Sequence, residues 1–430
     1  MGLVLVPLVL VGLAVPATRA DAAVETCFGM PATLVGTPGE SLTGTEGPDV
    51  VVANGAGDVE TLGGDDSVCV TRRGTFEVDT GTGDDEVSWV TKHSGGSVDL
   101  GPGSDSYTGG DQGSYVNTGD RAEARAGLPL GTDTVVTGSG LDTVITGHVS
   151  NSTAPSTDVI HLGAGRDEAR VAGAVPATLD GGSGMDGLYV TSRVHGDWVV
   201  NGETGVLSLD GAAMPPATSF AAYHLSGLTW NSLMFRGGPG SELVEVSNLS
   251  GLVKNDGPFN AQMGGGNDKL LVRSQDTGPF LGGDGNDSIR IEAKNTATGT
   301  HHFFSDMPQD VYGMRGSHRV VADSIENLSV SNADGALVVG DAEGNRLGAY
   351  GCGNTVRGGP GNDRIIGGAT KACYVHGSGR GLTAYGDAGN DYLGGGPSGD
   401  HLVGGVGRDK ADGGYGLDHC MTETRIRCER

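Results

Sequence analysis

Aspartates recur at a fixed interval near the carboxyl terminus. Asp391, Asp400, Asp409 and Asp418 are each nine residues apart, and Asn345, Asn354 and Asp363 keep the same step earlier in the chain. Glycines precede them closely: Gly359 and Gly361 before Asp363, Gly386 and Gly389 before Asp391, Gly405 and Gly407 before Asp409, Gly414 and Gly416 before Asp418. Further upstream, Asp268 follows Gly264-Gly265-Gly266-Asn267, and Asp287 follows Gly283 and Gly285. Aspartate is a short, hard anionic donor that reaches an ion held beside a turn, while glycine permits the tight backbone that exposes carbonyl oxygens. Oxygen donors in this density suit a hard cation, above all Ca²⁺, which takes about 6–8 oxygens at roughly 2.3–2.6 Å.

Each nine-residue unit reads Gly-Gly-x-Gly-x-Asp-x-U-x, with U apolar, as in Gly404-Gly405-Val406-Gly407-Arg408-Asp409-Lys410-Ala411. Looser copies run toward the amino terminus: Gly81/Gly83/Asp85, Gly101/Gly103/Asp105, Gly138/Gly140/Asp142 and Gly182/Gly184/Asp186, with Gly44 to Asp49 opening the series. The pattern resembles the calcium-binding nonapeptides of the repeats-in-toxin (RTX), or haemolysin-type, family, most closely over 340–420. The resemblance implies a Ca²⁺ ion shared between turns of neighbouring coils, and a roll that folds when calcium arrives, so that metal binding and folding form one equilibrium.

The elements that must position these donors follow from the unit itself. One nonapeptide makes a turn and a minimal strand whose U side chain points inward. Two make one coil, with turns on opposite flanks, and residues i and i+18 then stack about 4.8 Å apart. Asp391 is thus expected near Asp409 on one flank, Asp400 near Asp418 on the other, and Asn345 near Asp363. Two carboxylates about 5 Å apart repel by roughly 0.8 kcal/mol in water, and by more in a drier setting, which opposes folding unless cations intervene. The expected fold is all-β: a parallel β-roll or β-helix solenoid of short stacked strands and Gly-Asp-rich turns.

Five segments are expected: a signal peptide at 1–22, a solenoid with loose repeats at 23–192, and a degenerate stretch with loops at 193–335. The nonapeptide roll follows at 336–420, then a disulfide-closed cap at 421–430. Within 193–235 no calcium motif occurs, and Trp198, Phe220, Tyr223, Trp230 and Phe235 gather there as core filling in place of ions.

Composition narrows the partners. The 430 residues include 80 Gly and only 5% aromatics, thin for one large globular core, and the net charge is −26. Nucleic acid and anionic membranes would be repelled. Calcium ions remain, together with polysaccharide or protein of an extracellular matrix or envelope. Gly2 to Ala17 is apolar but short and broken by Pro7 and Pro16, and Ala20-Asp21-Ala22 follows, a processing signal rather than a membrane span. An extracellular location is therefore expected. Six cysteines in an exported chain favour disulfides. The sequence-local pairing, Cys27–Cys69, Cys352–Cys373 and Cys420–Cys428, is one of fifteen.

Catalytic motifs are missing from the sequence: no His-Glu-x-x-His, no Gly-x-Ser-x-Gly and no Walker loop. His301, His302, Asp306 and His318 form the one dense imidazole group, read as exposed loop histidines. The expected role is non-enzymatic, a structural or interaction module. A polysaccharide-active β-helix enzyme (lyase or epimerase) with its site within 190–335 is the competing class. An ice-binding or adhesive role would want a regular Thr-x-Thr array, and Thr132-Asp133-Thr134 is isolated.

Overall fold

Short runs of β-branched and apolar residues between glycine-rich turns cannot support helices, and they form strands of two to eight residues. Many bury a single central side chain: Glu77-Val78-Asp79 and Ser97-Val98-Asp99 each turn the valine inward and both neighbours outward, as the two-residue period of a strand requires. In the computed structural model the described residues are 24–89, 91, 95–119, 131–147, 156–225, 228–247, 259–273, 277–292, 303–305, 318–320, 322–323, 325–331, 335–368 and 381–429. Over these the chain is all-β. No helix among them is long and apolar enough to cross a membrane.

The dominant feature is one parallel sheet of eighteen strands. It starts at Leu42–Thr43, which pairs with Asp58–Glu60, and ends at Thr424–Ile426, which pairs with Lys410–Asp412. No pairing joins the first strand to the last, so the sheet is open. Its register advances by 18 to 20 residues, about two nine-residue units, across pairs such as Val78 opposite Val98, Ala169 opposite Leu188, Leu347 opposite Ile365 and Leu393 opposite Ala411.

Strands that fall between these in sequence belong to companion sheets. Asp58–Glu60 lies between Val50–Val52 and Ser67–Val70, yet those two pair with each other, while Asp58–Glu60 pairs with Glu77–Asp79. A nine-stranded companion sheet runs from Leu34–Val35 to Ala217–Thr218. A seven-stranded one spans Asp197–Asn201 to Ala322–Asp323, and another extends to His419–Met421. Inward side chains from the long sheet and its companions share one buried core.

The middle segment departs from the simple parallel pattern. Val206–Leu209 pairs antiparallel with Asp197–Asn201 and, on its other side, with Ala212–Ala213, which forms the edge of the sheet. Trp198, Tyr223, Trp230 and Phe235 are 1% exposed or less and Phe220 8%, so the aromatics expected as core do fill it. Among the described residues, a disulfide is formed toward each end. Cys27 joins Cys69 and Cys420 joins Cys428, with Cα atoms 5.5 and 5.9 Å apart. The third expected pair involves Cys373, which lies outside the described residues, as do the expected signal peptide and His301, His302 and Asp306.

Candidate metal centre

The repeat aspartates are buried. Asp268, Asp287, Asp363, Asp391, Asp400, Asp409 and Asp418 are each no more than 3% exposed, and so are Asn345 and Asn354. Each sits immediately before a strand, where the chain leaves its turn, and register aligns it with a counterpart about two nine-residue units on, as Asp391 with Asp409 and Asp400 with Asp418.

The alignment produces ladders of side-chain to backbone hydrogen bonds. The Asp391 N–H donates to Asp409 Oδ1 at 2.9 Å, and the Asp363 N–H to Asp391 Oδ1 at 2.8 Å. Asn345 donates to Asp363 at 2.8 Å. On the companion-sheet side, the Leu382 N–H donates to Asp400 Oδ1 and the Asp400 N–H to Asp418 Oδ1. The three expected neighbour pairs are therefore in contact through one backbone N–H each. Asp268 donates to Asp287 at 2.9 Å in the same way. A separate ladder runs through the looser repeats, from Asp49 through Asp66, Asp85, Asp105 and Asp133 to Asp158.

One carboxylate oxygen is committed in each such bond, which leaves the other. Oδ2 of Asp268, Asp287, Asp363, Asp391, Asp409 and Asp418 is buried without a hydrogen-bond partner, and so is that of Asp66, Asp85, Asp142, Asp167 and Asp186. A buried polar atom left unpaired costs about 1–3 kcal/mol, and more when charged. Burial accordingly pushes several of these carboxyls up, Asp363 and Asp85 to about 7 and Asp268 to about 6. Desolvation, reinforced by the neighbouring carboxylates, raises Asp391 as well.

The turns close over these oxygens. A Cβ added at Gly358, Gly386 or Gly404 would strike Oδ2 of Asp363, Asp391 or Asp409. Gly405 and Gly407 take φ of +111° and +150°, and a Cβ there would run into the carbonyls of Asp387 and Gly389 in the neighbouring repeat. Glycine is thus required both where the turn closes a cradle over the unpaired carboxylate oxygen and where one turn stacks on the next. Among the described residues no three His, Cys, Asp or Glu side chains group to hold a metal, so a cation in this cradle would draw much of its shell from carbonyls. The donor set fits a hard ion of the calcium kind.

Three expected positions differ. Asp400 uses both oxygens, Oδ2 accepting from the Gly396 N–H at 2.7 Å. Asn345 Oδ1 accepts from the Asp341 N–H and its Nδ2 donates to Asp341 Oδ1. At Asn354 the buried unpaired atom is Nδ2, a donor, which offers a cation nothing.

Four glutamates take ladder positions that the Asp pattern alone does not reveal. Glu242 donates its N–H to Asp268 Oδ1 and its own Oε2 is buried and unpaired. Glu326 accepts from the Asp287 N–H. In the tail, Glu423 accepts from the Asp409 N–H and Glu429 from the Asp418 N–H, so the two carboxyl-terminal ladders end on a longer carboxylate. A usable signal existed, since Glu326 stands nineteen residues before Asn345 and directly before an apolar alternation. No protein-family model matches the chain, and no curated protein matches it.

Proposed function

We propose that the chain is a secreted calcium-binding protein of the RTX type, a parallel β-roll or β-helix solenoid with a structural or interaction role outside the cell and no catalysis of its own. Its partners in this reading are Ca²⁺ and an extracellular polysaccharide or protein. The alternation of successive strands between the long sheet and its companions supports a winding chain, because in the regular stretches each return to the same sheet lands about two nine-residue units further on.

The observation that carries the calcium reading is the set of buried, unpaired Oδ2 atoms at Asp268, Asp287, Asp363, Asp391, Asp409 and Asp418. Asp268 and Asp287 would supply carboxylate oxygens in the middle of the chain, with the turn at Gly283 and Gly285. Asp363 with Gly359 and Gly361, Asp391 with Gly386 and Gly389, Asp409 with Gly405 and Gly407, and Asp418 with Gly414 and Gly416 would do so near the carboxyl end. Bound calcium would supply positive charge where desolvation and like-charge repulsion now oppose ionisation. Asp400, Asn345 and Asn354 hold their turns through hydrogen bonds in this account. Disulfides near both ends agree with an oxidising compartment.

The test is far-UV circular dichroism of the full chain during a Ca²⁺ titration from chelator, with Mg²⁺ as control. A cooperative gain of β signal with Ca²⁺ and not with Mg²⁺ is expected. A chain equally β-rich in chelator would contradict the coupling of ion binding to folding.

A further inference from the structure

A hollow opens on the outer face of the long sheet, beside the looser repeats and away from the nonapeptides near the carboxyl end. Its origin is a run of small residues in one cross-strand row: Glu168 lies opposite Gly187, and Gly187 opposite Ala222. Where most neighbours carry long outward side chains, two successive strands here carry almost none. A cavity of about 190 Å³ results, walled by Glu168, Tyr189 and His224, with Arg166 and Met185 at its turn-side rim. It is smaller than the ~300 Å³ lower bound for drug-sized ligands and has the size of a single ring.

The wall is rigid and its charges are mostly spent. Tyr189 and His224 stack with centroids 4.0 Å apart and planes 6° from parallel. Arg170 pairs with Glu168 at 2.6 Å, and Arg273 with Glu245 at 2.5 Å. His224 Nδ1 faces Glu245 Oε2 at 3.3 Å; that carboxylate favours the proton on Nδ1, and Nε2 of the neutral ring is then an acceptor. Asp142 and Asp167 also line the cavity, but their free Oδ2 atoms are buried beneath it. Arg166 is exposed and makes no ion pair among the described residues. The uncommitted groups are thus one guanidinium, which matches a carboxylate bidentately, and one imidazole acceptor, which matches a hydroxyl.

The geometry points to a binding site for a hydroxylated ring carboxylate, that is, one uronic-acid residue of an acidic polysaccharide, with Arg166 on the carboxylate and His224 Nε2 accepting from a ring hydroxyl. The site stands apart from the calcium reading, since none of its proposed contacts is a repeat aspartate. The probe is D-glucuronate, titrated calorimetrically into the full chain at constant saturating Ca²⁺, with D-glucose as the neutral control. Glucuronate is expected to bind and glucose not to.

Arg166→Ala should weaken glucuronate by about tenfold or more, the usual loss for a hydrogen bond to a charged group. Ala222→Leu, which fills the hollow and leaves Arg166 in place, should abolish binding. Circular dichroism in Ca²⁺ shows whether each variant retains the wild-type fold. Absence of saturable heat into the millimolar range, equal binding of glucose, or glucuronate binding unchanged in both folded variants would overturn the assignment.

Discussion

The repeats at 381–418 and the segment at 197–236 contribute strands to comparable sheets in parallel register, yet they fill the interior differently. Near the carboxyl end, inward residues are small or aliphatic (Ala384, Leu393, Leu402, Ala411), and the space at the turns is taken by buried carboxylates. In the middle, Trp198 and Phe235 face inward on adjacent strands, Tyr223 packs against Phe235 with centroids 5.2 Å apart, and among the described residues the Asp197 N–H bond to Asp210 Oδ1 at 2.8 Å crosses the hairpin rather than stacking repeat on repeat. One region is completed by groups that repel one another, the other by apolar surface that needs no ion. Ion dependence should therefore belong to stretches of the sheet rather than to the sheet as a whole.

Several substitutions break or sharpen this contrast. Trp198→Ala has the largest expected effect, a loss of about 3–5 kcal/mol from cavity formation. Thermal melts should show it equally in Ca²⁺ and in chelator, because no ion is involved. Asp391→Asn should split the two conditions. An amide oxygen can still accept the Asp363 N–H, as Asn354 accepts that of Ala336 at 2.8 Å. In chelator the variant should gain about 1 kcal/mol by removing a buried charge, while its Ca²⁺-dependent increment falls. Equal shifts in both conditions would refute the assignment of Asp391 as a ligand.

Acid should act in opposite directions with and without the ion. Burial raises the folded-state pKa of Asp363 to about 7 and of Asp400 to about 6, above the ordinary carboxylate value, so the metal-free fold prefers the protonated groups. Their contribution is present in full below the unfolded pKa and is lost as pH rises through about 6 to 7. In chelator, stability should rise on acidification from pH 8 to 5. In Ca²⁺ it should fall, because protons compete with the ion. Denaturant midpoints at several pH values would show both slopes.

The smallest effect expected is at Asp387. It adopts φ +72° where the neighbouring repeats place Gly359, Gly405 and Gly414. Asp387→Gly should stabilise by about 1 kcal/mol, the cost of a side chain in the left-handed region, less its 3.6 Å contact with Arg357.

The nine-residue step made the strands, their parallel register and the Asp391–Asp409 and Asp400–Asp418 neighbours legible, because sheet spacing converts sequence period directly into contact. The hairpin at Val206–Leu209 was not legible, since an apolar alternation does not specify which neighbour it meets or in which direction. Glu423 and Glu429 were hidden for another reason. A glutamate reaches the ladder from a backbone placed differently from that of an aspartate, so it need not keep the Gly-x-Asp offset. The difference between Asp400 and Asp391 was also invisible, because it depends on whether a single backbone N–H, that of Gly396, turns toward Oδ2.

Region-resolved hydrogen exchange of the full chain, in Ca²⁺ and then in chelator, tests the central claim most directly. Amides of Thr383–Ala388 and His401–Val406 should lose protection by orders of magnitude when calcium is withdrawn, while those of Asp197–Asn201 and Ser232–Arg236 stay protected. Equal protection of both regions in both conditions would contradict the account, and would leave the buried carboxylates held by hydrogen bonds and packing alone.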